Sequence, residues 1–141
     1  MKKVNTENFK KTLSKFSTGI TVVCVKNNNL IYGKTVNSFN SLSLKPPMVL
    51  FSLGNNSSSI KQFLKTKFLS INILSSKQKK LSDNCASNAP KLENIEFIEG
   101  KNKTPIIPNC IANLECKLVD KIKKGDHIIF ICKILELQSN D

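Results

Sequence analysis

The sequence predicts a mainly β protein, a β-barrel or an α+β sheet carrying short helices, and three observations support this. First, apolar residues fall in short clusters of strand length, β-branched or aromatic, separated by Gly, Pro, Asn and Ser. Second, there are about six such clusters, with three short helical patterns in the connections. Third, strands and helices do not alternate in the βαβ rhythm of a parallel doubly wound sheet. At 141 residues the chain has the size of one domain, so residues 1–141 are expected to form a single folding unit.

The first element is a helix over residues 6–16, where Phe9, Leu13 and Phe16 recur at helical spacing and Asn5 or Thr6 caps the start. Gly19 opens ITVVCV, a β-branched strand, and KNNN turns it into its hairpin partner LIYGKTVNSF. Asn tolerates the left-handed backbone that such a turn needs. After Pro46 and Pro47, MVLFSL is apolar enough to be a strand covered on both faces, and it ends at GNNSSS. Ser57 is expected to cap a short helix running through Lys65, with Ile60, Phe63 and Leu64 inward.

FLSINIL is the next strand, and SSKQKKLSDNCA is a helix with Gln78, Leu81 and Cys85 on one side. Residues 87–103 carry turn formers and mixed charge and are expected to form a long loop with a brief ordered piece over 95–98. IANLECKLV and HIIFICKILEL flank DKIKKGD, the plainest hairpin signal in the chain. The last strand is apolar on both alternating sets, Ile128, Phe130, Cys132 and Ile134 against Ile129, Ile131 and Leu135. One set fills a core and the other needs a cover, so a homodimer is expected.

Composition narrows the function classes. The net charge of +12 invites a nucleic-acid reading, yet all 22 basic residues are Lys. Bidentate recognition of bases and phosphates leans on Arg, and stacking platforms for single strands need more aromatics than this chain has. Lys and Asn are abundant throughout, which points to compositional bias rather than a specific nucleic-acid surface. No apolar run is long enough to span a membrane, and the basic N-terminus is not followed by an apolar stretch, so a cytoplasmic location is expected. Five cysteines without a CxxC pair argue against a disulfide framework or a zinc site, and leave buried small hydrophobes as their reading.

Neither GxGxxG nor GxxxxGK[ST] is present. Instead NNSSSI, between a buried strand and a helix start, gathers backbone N–H groups, Ser hydroxyls and a positive helix end into a candidate anion cradle. The polar strand end TVNSFNS offers small hydrogen-bonding groups suited to the edge of a heteroaromatic ring. Together they define a site with a phosphate at one end and a ring at the other.

In order, FSTGITVV, YGKTVNSFNSLSLKPPMVLFSL, NNSSSI, FLSINIL, QKKLS, IANLEC and GDH give the chain a resemblance to the flavin reductase-like proteins over nearly its whole length. The fold this implies is the FMN-binding split barrel, of antiparallel Greek-key type. The activity it implies is reduction of FMN, or FAD, by NADH or NADPH in a homodimer that supplies reduced flavin to a monooxygenase. On this resemblance Thr35, Val36, Asn37 and Ser38 lie along the isoalloxazine, and Ser52 and Leu53 line the same site. Asn55, Ser57, Ser58 and Ser59 hold the flavin phosphate, and His127 of the GDH piece stands at the nicotinamide. No Arg is available to clamp a 2′-phosphate, which favours NADH. Hydride transfer between two cofactors needs no protein nucleophile, so the absence of a triad is no objection. His127 as a turn residue only stays open, as does a non-catalytic FMN-binding module, since the family's chains commonly run on beyond the point where this one ends in QSND. A pyridoxamine-phosphate-oxidase-like enzyme shares the barrel and an anion site, but the order of the motifs favours the flavin reductase branch.

Overall fold

The computed structural model describes residues 1, 3–87, 92 and 95–140. Residues 88–91, 93 and 94 of the expected 87–103 loop therefore lie outside the described residues. α1 (Thr6–Leu13) begins as expected, with the Asn5 Oδ1 accepting from the Asn8 N–H at 2.8 Å. Glu7 in its first turn and Lys10 and Lys11 in its last complement the helix dipole. It ends short of Phe16, and none of its residues is buried.

β1 (Thr21–Asn27) and β2 (Leu30–Val36) form the expected hairpin. Asn28 and Asn29 both take positive φ, 49° and 63°, the backbone a tight two-residue turn requires. The expected strand over 30–39 stops at Val36, and a further strand that the pattern did not announce, β3 (Asn40–Leu44), pairs with β4 (Pro47–Gly54). β3 is short and almost wholly exposed: Leu42 and Leu44 alternate with Ser41 and Ser43 but are not buried, and two leucines among polar neighbours are too weak a pattern to mark a strand. Then come α2 (Ile60–Lys65), β5 (Phe68–Ile73), a 3₁₀ turn at Ser76–Gln78 and α3 (Lys79–Ala86). Ser75 and Gln78 close a capping box at that turn. β6 (Ile98–Glu99) pairs with β7 (Pro105–Ile106), and β8 (Ala112–Lys124) with β9 (His127–Ser139).

Seven strands share one antiparallel sheet in the order β2-β1-β5-β8-β9-β4-β3, so the fold is mainly β with few short helices, as expected. The long β8–β9 ribbon serves two half-sheets. β5 pairs with its Ala112–Lys117 portion, whereas β4 pairs with residues 127–133 of β9. The inner face carries the main core, in which Phe51 stacks on Phe130 at 5.1 Å and Phe63 of α2 meets both rings edge-on. Each such ring is worth a few kcal/mol of burial, on the order of 2–3, so α2 is anchored chiefly through one residue. A second cluster beneath α3 joins Val22, Cys24, Leu74, Cys85, Ile107 and Cys110. All five cysteines are free and buried.

Buried Asn72 ties the layers together. Its Nδ2 donates to the Val22 carbonyl and to Ser70 Oγ, while its Oδ1 accepts from the Ile107 N–H and from Asn113. Every polar atom of the amide is thereby matched, which is the condition for burying it. Among the described residues, no helix is long and apolar enough to cross a membrane.

Candidate functional site

Most of the expected site residues converge on the C-terminal end of β4. Alternation along β4 sends Val49, Phe51 and Leu53 into the core and leaves Leu50, Ser52 and Gly54 on the outer face. Directly opposite partners in an antiparallel ladder share a face, so Ile131, Ile129 and His127 of β9 stand beside Leu50, Ser52 and Gly54. This outer face is half-buried, apolar at one end and polar at the other.

The end of β2 meets this face through Ser38. The Ser52 N–H donates to Ser38 Oγ at 2.9 Å, and the Ser38 hydroxyl donates to the Ser52 carbonyl at 3.2 Å. One side chain thus takes the place of a ladder pair between β2 and β4. Asn37, next to it, is exposed and makes no hydrogen bond among the described residues. Thr35 points elsewhere, its hydroxyl donating to the Ser82 carbonyl of α3 at 2.6 Å. The side chains of Val36 and Leu53 lie in the core, so only their backbone is offered to a ligand.

Beyond Gly54 the chain turns twice before α2. Ser57 donates its N–H to the Gly54 carbonyl, and Ile60 donates to Ser57, both at 3.0 Å. The helix cap falls at Ser59 rather than at Ser57, and no side chain caps it. As a result the Ser57 and Ser59 hydroxyls, Asn55 Oδ1 and Gln62 Oε1 are buried without a partner among the described residues. An unmatched buried hydroxyl costs roughly 1–3 kcal/mol. Two within three residues, at the end of an outer-face strand, form a cradle whose donors are unspent. α2 has six residues, too short for its dipole to matter much, so the hydroxyls and turn amides carry the cradle. Ser58 is exposed at the rim.

Asn55 fastens this cradle to the β8–β9 turn. Its N–H donates to the Asp126 carbonyl at 2.8 Å and its Nδ2 to the Gly125 carbonyl at 3.3 Å. Gly125 sits at φ 57°, where a side chain would be strained. Asp126 Oδ1 lies 2.7 Å from His127 Nδ1, and this bond, followed by the imidazole's charge, holds the Asp126 carboxyl below its usual range. The other ring nitrogen faces Gly54, where a Cβ would come within 3.9 Å of Nε2. The sequence reading singled out His127 but missed its fixation by Asp126 and the unspent amide of Gln62. The GDH spacing was a signal for the first. Gln62 had none.

Fold and site together define the class. The Flavin reductase like domain model matches residues 13–141, and the chain belongs to that family. Among its relatives, it is 33% identical over 137 residues to FMN reductase (NADH) SmoA of Agrobacterium fabrum, covering 97% of this chain and 79% of that protein. It is 29% identical to the reductase component of 4-nitrophenol 4-monooxygenase/4-nitrocatechol 2-monooxygenase of Rhodococcus opacus, over 93% and 71% of the two chains. Among solved structures, flavin reductase PheA2 in its native state superposes with a TM-score of 0.91 at 32% identity, covering 98% of this chain and 90% of that one. The Streptomyces globisporus C-1027 NADH:FAD oxidoreductase SgcE6, in complex with NAD and FAD fragments, gives 0.89 at 26% identity, over 99% and 87%.

Proposed function

We propose that residues 1–141 act as one domain that reduces FMN, or FAD, with NADH as electron donor, and that the reduced flavin passes to a flavin-dependent monooxygenase. Several relatives bear names of this kind, including an NADH-dependent flavin reductase of Rhodococcus and an NADH-dependent FAD reductase of Streptomyces globisporus. The single observation that carries the site is the pair of buried, unpartnered Ser57 and Ser59 hydroxyls at the mouth of the β4–α2 turn. They fit the phosphate end of a flavin, because each offers an O–H to a phosphate oxygen and none is spent on the protein.

In this reading Asn55 and Ser58 complete the cradle, while Asn37, Ser38, Ser52 and the backbone of Thr35, Val36 and Leu53 border the ring. The flavin, when bound, supplies the hydride-accepting ring. The chain's part is orientation: outer-face Leu50, Ile129 and Ile131 exclude water, and polar groups at the end of β2 stabilise negative charge at the ring's edge. His127, held by Asp126, positions the nicotinamide. A homodimer covers the outer face, the apolar side of α1, where Phe9 and Leu13 are exposed at 58% and 52%, and Phe16 just beyond it, exposed at 76%. A cytoplasmic setting accords with five free thiols.

The test is oxidation of NADH and NADPH by purified protein with FMN or FAD added, against free-flavin controls. Turnover that needs both protein and flavin is expected, faster with NADH. His127→Ala should raise KM for NADH about tenfold with a smaller change in flavin affinity. Flavin binding without any nucleotide oxidation would instead establish a non-catalytic flavin-binding module.

A further inference from the structure

Three loops converge at the end of the sheet to which the C-terminus of α2 leads: the β1–β2 turn, the α2–β5 connection and the β6–β7 turn. They border an open recess of about 610 Å³ whose lining includes none of Ser57, Ser58, Ser59 or His127. Its lining is almost wholly polar, with Phe68 as its one aromatic residue. Four lysines border it, against one carboxylate, Glu99. Lys26 pairs with Glu99 at 3.0 Å, which leaves Lys65, Lys67 and Lys103 with no ion pair among the described residues.

The loops that present these charges are stiff. The Lys26–Glu99 pair ties two of the rims together. Buried Glu115 pins the third turn from beneath, accepting from the N–H groups of Lys101 and Asn102 and from the Thr104 hydroxyl. Thr66 closes the α2–β5 connection on the Phe68 carbonyl at 2.6 Å. Lys67 Nζ rests 5.3 Å from the centroid of the Phe68 ring. Four lysines around one concave recess outnumber its single carboxylate, Glu99, which Lys26 and Lys103 share, and the surplus of positive charge raises the local concentration of anions. A flat face would favour a protein surface, whereas a recess of this volume favours a small molecule.

We propose that this cavity is a second binding site, separate from the flavin cradle, for a small diphosphate-bearing molecule of the nucleoside diphosphate class. The diphosphate meets Lys65, Lys67 and Lys103, and the organic part lies against Phe68. The inference is independent of the flavin reading.

The test is calorimetric titration of ADP into protein saturated with FMN, at low ionic strength. The comparison variants are K65Q/K103Q and, as a control of equal charge change, K77Q/K80Q on the exposed α3 side. ADP is expected to bind one to one, at least tenfold more weakly to K65Q/K103Q and within twofold of the parent affinity for K77Q/K80Q. Adenosine is expected to give no heat. No binding of ADP, equal weakening in both variants, binding of adenosine as tight as that of ADP, or competition between ADP and FMN would each overturn the proposal. If the protein fails to take up FMN, the same titrations on free protein keep their meaning, and only the flavin reading falls.

Discussion

Ser57 and Ser59 are distinctive because their hydroxyls are buried and do nothing for the fold. A residue kept for packing or capping stabilises the free protein; one kept for a ligand need not. Replacing both by Ala should therefore leave the unliganded protein as stable as before, or about 1 kcal/mol more stable. The same change should weaken FMN about tenfold, read by fluorescence titration beside a denaturant curve. A loss of stability with unchanged FMN affinity would return these residues to a structural role. At this scale the sequence was informative where function is local. NNSSSI is a contiguous run, and its polarity after an apolar strand singled out the stretch in which the structure leaves the Ser57 and Ser59 hydroxyls without a partner. Thr35 was less legible, since its commitment to the Ser82 carbonyl depends on α3 packing against β2, a contact 47 residues away in sequence.

Among the elements, strands of the seven-stranded sheet that bury apolar residues were visible in the sequence and the one that buries none was not. β4 and β9 bury one set of side chains, β1 and β5 bury both along most of their length, and their apolar residues announced them. β3 buries nothing, and it exists because β4 offers it a ladder. α1 presents the opposite case, an amphipathic pattern that was read easily but has no partner in the single chain. Its apolar side gains a burial worth roughly 1.5–3 kcal/mol per large residue only if a second copy covers it. Phe9→Ser with Leu13→Ser should accordingly shift the monomer–dimer equilibrium toward monomer by at least tenfold in sedimentation velocity, with the fold of each monomer unchanged by circular dichroism. An unshifted equilibrium, or a parent protein that is already monomeric, would overturn the proposed burial of α1 by a second copy. The recess behind α2 was invisible in sequence for the same reason as the Thr35 contact: its lysines come from β1, the end of α2 with the connection after it, and the β6–β7 turn, which meet only in the folded chain.

For the whole molecule, the buried thiols set an alkaline limit. Burial pushes the Cys85 thiol up to about 11 and that of Cys132 up to about 12, and it raises those of Cys24, Cys110 and Cys116 as well. In the unfolded chain a thiol ionises near ~8.5, so above that pH the unfolded state has lost a proton that the folded state retains. Stability is then whole below about pH 8.5 and falls as pH rises toward 11, by up to about 1.4 kcal/mol per unit for each such thiol. Lys34, lowered by burial, acts in the opposite direction but is a single group. Urea unfolding at pH 7.5 and pH 9.5 should show a drop of a few kcal/mol, made shallower by Cys85→Ala when each protein is compared with its own neutral value. A flat profile would show that the thiols ionise in place.

The hydroxyl of Ser38 that bridges β2 and β4 also makes the wall of the protein separable at one seam. A ladder opens only when several neighbouring bonds break together, whereas a seam held by one side chain can part on its own. The Ser52 amide proton should therefore exchange with solvent through a small local opening, well ahead of Phe51 beside it. Binding of FMN across the seam should slow that one proton more than any in the core. Deuterium uptake at Ser52 would then register cofactor arrival in the dark, with no turnover and no colour change required.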